Sequence, residues 1–176
     1  MLTINNCYLL ENRFDGKLRQ RSETYIVKDK KLLVCIGRES GNPSLPGGQI
    51  EKGESPKTAA ERETLEEVGI KIKIIRKLKN YSFDYTKEMG PWETLPYEIT
   101  RWDEIGMETY PFFAEYVKED KSLYNSEGDG KLYKWMTSKE AISAFTKLMH
   151  KSQYFKLRCP HVINIIKQLK KDNIIQ

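Results

Sequence analysis

The sequence predicts an α/β fold, a mixed sheet with helices packed on it. Three observations predict it. Stretches of alternating apolar and polar residues recur at strand period, Ile70-Lys71-Ile72-Lys73-Ile74 being the clearest. One short helix rich in glutamate separates the first strands from the later ones, and two amphipathic helical stretches close the chain.

Taken in order, Thr24–Lys28 and Leu32–Ile36 read as strands around an Asp29-Lys30-Lys31 turn. GNPSLPGGQ follows, dense in turn formers, and Pro46 before Gly47 suits a type II turn. Ser55 is a good helix N-cap, Pro56 a good first residue because its missing N–H would have no partner there, and Gly69 is placed to end the helix. Tyr81, Phe83 and Tyr85 in NYSFDY alternate again, and YPFFAEYV and KLYKWM are further strands. TSKE at Thr137–Glu140 offers a capping box, with Ile142, Phe145, Leu148 and Met149 at helical spacing behind it. A last helix is expected from near Pro160, with Val162, Ile166 and Leu169 on one face. The expected organisation is one domain over residues 1–176, carrying C-terminal helices at about 138–150 and 160–174.

The composition, 39% hydrophobic and 31% charged, is that of a globular chain rather than a disordered one. No apolar run approaches a membrane span and the N-terminus lacks a signal-peptide layout, so an intracellular, cytoplasmic protein is expected. Cys7, Cys35 and Cys159 are widely spaced, and His150 and His161 have no paired spacing. Zinc and disulfide frameworks are therefore disfavoured, and any metal chemistry is oxygen chemistry. The net charge of +5 resides in residues 151–176, which hold six basic residues and one acid. Such a tail can touch RNA, or it can be a solvated helix face.

The stretch ERETLEEVG gathers Glu61, Glu63, Glu66 and Glu67. At about 100° per residue, Glu63, Glu66 and Glu67 share an arc of about 100°, while Glu61 points away. Like charges at this spacing repel by a few tenths of a kcal/mol, and the last turn is the worst place for negative charge. Solvent and salt can screen such a face, or a hard divalent cation can use it. Arg62 lies four residues before Glu66, where it can orient that carboxylate. Ala59 and Ala60, one turn earlier, would let a backbone or a ligand come close. Gly47 and Gly48 permit close approach and leave carbonyls accessible, and Glu54 stands just outside the helix.

GGQIEKGESPKTAAERETLEEVGI resembles the Nudix box: Gly48, Glu54, Arg62, Glu63, Glu66, Glu67, Gly69 and Ile70 fall on its fixed positions. Thr64 departs from it, standing where the family usually has an aliphatic residue. The resemblance implies an α/β/α sandwich around a mixed sheet and a hydrolase of diphosphate linkages, commonly in nucleoside diphosphate derivatives. It further implies Mg²⁺, with Mn²⁺ as an alternative, bound by Glu63, Glu66 and Glu67 with the Gly48 carbonyl. Glu54, Arg62 and Glu66 form the implied catalytic set. The general base is left open between a box glutamate and one from a later loop.

That later stretch, 86–109, mixes acids with Trp92, Tyr97 and Trp102. Trp92 and Trp102 are candidates to stack a substrate's planar group, or else core or dimer contacts. Tyr85 lies sixteen positions past Gly69, where the resemblance places a substrate-marking residue in some subfamilies. Besides hydrolysis of a small nucleotide, two readings stay open: an RNA 5′-end pyrophosphohydrolase using the basic tail, and a non-catalytic Nudix-fold nucleotide-binding regulator.

Overall fold

Asp29 and Lys30 take φ values of 49° and 58°, the pair of positive values a two-residue hairpin turn needs. They join β1 (Arg19–Lys28) to β2 (Lys31–Ile36) in antiparallel pairing. The computed structural model describes residues 18–91, 95, 105–124 and 131–176. In chain order there follow β3 (Pro43–Ser44), α1 (Pro56–Val68), β4 (Ile70–Lys77), β5 (Tyr81–Asp84) and α2 (Tyr85–Met89). Then come β6 (Gly106–Glu119), β7 (Leu132–Met136), α3 (Ser138–Leu148) and α4 (Gln153–Lys171).

The strands form one mixed sheet. β1 runs parallel to β6 from Arg19↔Met107 to Val27↔Glu115, and the remaining pairings are antiparallel. β4 and β5 line up along the other side of β6, and β4 carries register shifts at Lys71/Ile72 and Ile74/Arg76.

β1 and β2 pair in register only at their hairpin end, and the chain from Pro43 to Gln49 lies between them farther along. β3 pairs with Cys35 and Ile36 of β2, which also pair with β7 and so hold β3 and β7 on opposite sides. On the other flank, Thr24 N–H donates to the Pro46 carbonyl at 2.8 Å and Ser22 N–H to the Gly48 carbonyl at 3.0 Å. This corrects the expected type II turn. Gly47 has φ 149°, far from the value of about +80° that turn requires, because the segment is bonded along β1.

Helices cover both faces. Odd-numbered β1 residues Tyr25 and Val27 pack with Phe145, Val162, Ile166 and Leu169 of α3 and α4. The opposite face joins Ile26, Leu33 and Cys35 to Val68, Ile70 and Ile72, at the C-terminal end of α1 and the start of β4. Ala59 and Ala60 are fully buried within the protein. Thr64, the departure from the box, is buried too, and its hydroxyl donates to the Ala60 carbonyl at 2.7 Å. That bond answers the polarity of the hydroxyl.

The last helix starts earlier than expected, at Gln153, where the Ser152 hydroxyl accepts from Phe155 N–H at 3.3 Å. Pro160 lies inside it. Interior proline costs about 3 kcal/mol, and burial of Cys159, Val162, Ile163, Ile166 and Leu169 carries the helix through.

Arg158 is no part of a basic surface. It is 3% exposed and ion-pairs with Glu23, itself fully buried on β1. Glu23 also accepts from the hydroxyls of Tyr25, at 2.9 Å, and Tyr81, at 3.1 Å. Burial would raise this carboxyl, but the neighbouring Arg158 and Arg21 charges hold it below the usual range. No helix among the described residues is long and apolar enough to cross a membrane.

Candidate active site

α1 begins and ends as its caps dictate. Ser55 Oγ accepts from Thr58 N–H at 3.1 Å, and Gly69, at φ 64°, donates to the Leu65 carbonyl at 3.0 Å. The helix presents Glu63 and Glu67 toward the Gly47-Gly48 segment wedged beside β1.

Arg62 organises them. Its Nε and Nη2 form a fork on Glu54, both at 3.0 Å. Nη1 donates to Glu63 at 2.9 Å and to Glu66 at 3.0 Å, and Nη2 reaches the Gln49 carbonyl at 3.1 Å. A guanidinium has five N–H donors, and each has an acceptor here. Hydrogen bonding to Glu54 pushes the guanidinium's pKa up and holds the Glu54 carboxyl below its ordinary value. Glu63 goes the other way. Burial raises its carboxyl, Arg62 pulls it down, and the Glu67 and Glu66 charges push it further up.

A Cβ on Gly48 would meet the Glu63 carboxylate, so a larger residue there would have to displace that side chain. Gly47 is required by the backbone. A Cβ would run into the Ser22 carbonyl oxygen and lie 2.8 Å from Glu23 Cα. Gly47→Ala is therefore expected to lower stability by more than about 1 kcal/mol in a denaturant melt; an unchanged midpoint would contradict the close approach.

Glu67 is held by residues the sequence does not mark. One oxygen accepts from Gly47 N–H at 3.0 Å and the other takes an ion pair from Lys131. Lys131 stands 64 positions away, so no local spacing reveals it. Its own N–H donates to the Glu67 carbonyl at 2.6 Å. Arg21, also unmarked by the sequence, donates to the Gly47 carbonyl at 2.9 Å.

Glu54, Arg62, Glu63, Glu66 and Glu67 are thus brought together against Gly47 and Gly48. The Gly48 carbonyl accepts from Ser22 N–H, which leaves one lone pair for another partner. Tyr85 is not with them. It is buried, its ring edge-on to Phe83 with centroids 5.5 Å apart. Trp92 and Trp102 lie outside the described residues.

The donor set suits a hard divalent cation. Four carboxylates against Arg62 and Lys131 leave a formal −2, and oxygen is the ligand such ions take. Among the described residues, no three acidic, histidine or cysteine side chains converge as they stand to chelate an ion. In this arrangement Arg62 and Lys131 occupy oxygens of Glu54, Glu63, Glu66 and Glu67.

The fold is shared with solved structures, among them the following three. A NUDIX hydrolase from Nitrosomonas europaea is 20% identical, with a TM-score of 0.57 over 82% of this chain and 87% of that one. A UDP-X diphosphatase is 19% identical, with a TM-score of 0.51 over 78% of this chain and 61% of that one. The ORF135 protein of E. coli is 16% identical, with a TM-score of 0.51 over 73% of this chain and 79% of that one. The family model described as the NUDIX domain matches residues 18–157, most of the chain. With the mixed sheet, the capped acidic helix and this match in agreement, the chain belongs to the Nudix family of pyrophosphohydrolases.

Proposed function

We propose that this protein hydrolyses a diphosphate linkage in a nucleoside diphosphate derivative or related small nucleotide, with Mg²⁺ or Mn²⁺ held by Glu63, Glu66 and Glu67. The observation that carries the reading is the Arg62 guanidinium, whose donors fix Glu54, Glu63 and Glu66 in one cluster beside Gly48. A solvated acidic face has no need of such a clamp. Nudix proteins generally use divalent metals, and the −2 left in this cluster fits one.

When bound, the cation neutralises the diphosphate and polarises the attacked phosphorus and the attacking water. The chain's own residues supply position. Gly47 N–H and Arg62 hold the Glu67 and Glu63 carboxylates, and a cation beside the half-buried Glu63 would offset the burial that raises its carboxyl.

The proton of the attacking water goes to Glu66. Its side chain, 39% exposed, is the most open of the cluster, and only one of its oxygens is engaged by Arg62. Glu54 is a poor base, because Arg62 takes both of its oxygens and Glu51 N–H one of them again. Glu54 and Arg62 act by orientation. The RNA-end reading loses one cation of the tail, the buried Arg158, while Lys167, Lys170 and Lys171 stay exposed, and no observation of the site favours it over a small nucleotide.

The test is phosphate-product release from a panel of nucleoside diphosphate and triphosphate derivatives, with Mg²⁺, with Mn²⁺ and with chelator. Cleavage of one substrate class that chelator abolishes is the expected result. Cleavage that chelator leaves untouched, or none across the panel, would sink the reading.

A further inference from the structure

At the acidic end of α1, Arg62 of the same helix pairs with Glu66, whereas Glu67 takes its ion pair from outside the helix. The helix finishes on Glu66 and Glu67 with no basic residue in its last turn, against the preference of the dipole for cations there. Lys131 supplies the missing charge from a distant part of the chain. Its ammonium ion-pairs with one Glu67 oxygen while Gly47 N–H occupies the other. The Glu67 side chain is 8% exposed and that of Lys131 27%, so the pair is screened far less than a surface one.

Lys131 is also anchored independently of its ammonium. Its N–H bonds the Glu67 carbonyl, and the next residue, Leu132, enters the β7 pairing opposite Ile36. The side chain can therefore leave Glu67 while the backbone stays.

We propose that Lys131 is the resident counter-cation of Glu67, which a divalent cation must displace, so that this lysine weakens the site's hold on metal. The inference rests on the reading of Glu63, Glu66 and Glu67 as the cation holders. An ammonium and a metal ion compete for the same carboxylate oxygen, and two positive charges so close repel strongly in a partly buried site. In the metal-free protein the lysine keeps a buried acid from standing alone. On metal binding, its tethered backbone keeps the released ammonium within a side chain's length of the cluster.

The experiment is Mn²⁺ binding to the full chain, followed by the electron paramagnetic resonance of the free ion. Native protein, Lys131→Met and Lys131→Arg are compared after a thermal melt has shown that each is folded. Methionine keeps most of the stem and the backbone bond while removing the charge. Expected is Mn²⁺ binding about tenfold tighter in Lys131→Met, with Lys131→Arg close to native. The metal-free melting temperature of Lys131→Met should fall, and saturating Mn²⁺ should raise it by more than it raises the native protein's. Binding by the native chain that Lys131→Met leaves unchanged or weakens would overturn the proposal alone. Absence of Mn²⁺ binding in all three forms would overturn the cation site and the proposal with it. Should Lys131→Met not fold, Lys131→Gln takes its place with the same expectations.

Discussion

Glu66→Gln is expected to lower turnover by about 10²- to 10⁴-fold, the range for a lost general base, while the melting temperature stays near that of the native protein. The small effect on stability follows from geometry. Glu66 is the most exposed acid of the cluster, and its bond to Arg62 can be made by an amide oxygen at the same place. Side-by-side kinetics and thermal melts check both halves, and activity within a few fold of native would remove Glu66 from the mechanism. Glu67→Gln is a less clean probe. Its carboxylate is buried between Gly47 N–H and the Lys131 ammonium, so its loss strands a partly buried cation and costs stability as well as activity.

The largest loss of stability is expected from Arg158→Met, at about 3–5 kcal/mol, the penalty for breaking one side of a buried pair. Glu23 would keep its bonds from Tyr25 and Tyr81 but lose its main counter-charge. The pH dependence identifies the cause. In the native protein the Glu23 carboxyl is held below its ordinary value of 4.5. Its contribution is therefore present above that value and lost as pH falls through the folded pKa. In the variant, burial acts with less opposition and the folded pKa moves up, so stability is lost as pH rises. The gap between the two proteins should widen from acid toward neutral pH. A gap constant with pH would mean that lost packing, not an unpaired carboxylate, is responsible. Replacing Glu23 by leucine in the same variant should recover part of the loss.

Local rules made much of this architecture readable. Ser55, Pro56 and Gly69 bracket α1 because caps depend on near neighbours, and Arg62 finds Glu66 because four residues is one helical turn. The capping box at Thr137 and the alternation at Ile70 and Ile72 hold for the same reason. What escaped depends on tertiary placement. Lys131 meets Glu67, and Arg158 meets Glu23 across 135 positions, only because the sheet brings their elements together. Pro160 reads as a helix start by propensity, yet the buried face of α4 outweighs its cost. Gly47 reads as a turn residue, but a strand beside it sets its conformation.

Among the described residues β4 ends its side of the sheet, bonded to β6 on one flank, and an open strand flank is where a second molecule could add a strand of its own. This one is poorly suited to accept it. Lys71, Lys73, Arg76 and Lys77 place four positive charges along its eight residues, and two register shifts break its regularity. A copy of the same strand laid alongside would bring like charges together over much of its length. The alternation that buries Ile70 and Ile72 thus also lines this edge with Lys71 and Lys73, which disfavour edge-to-edge pairing of copies.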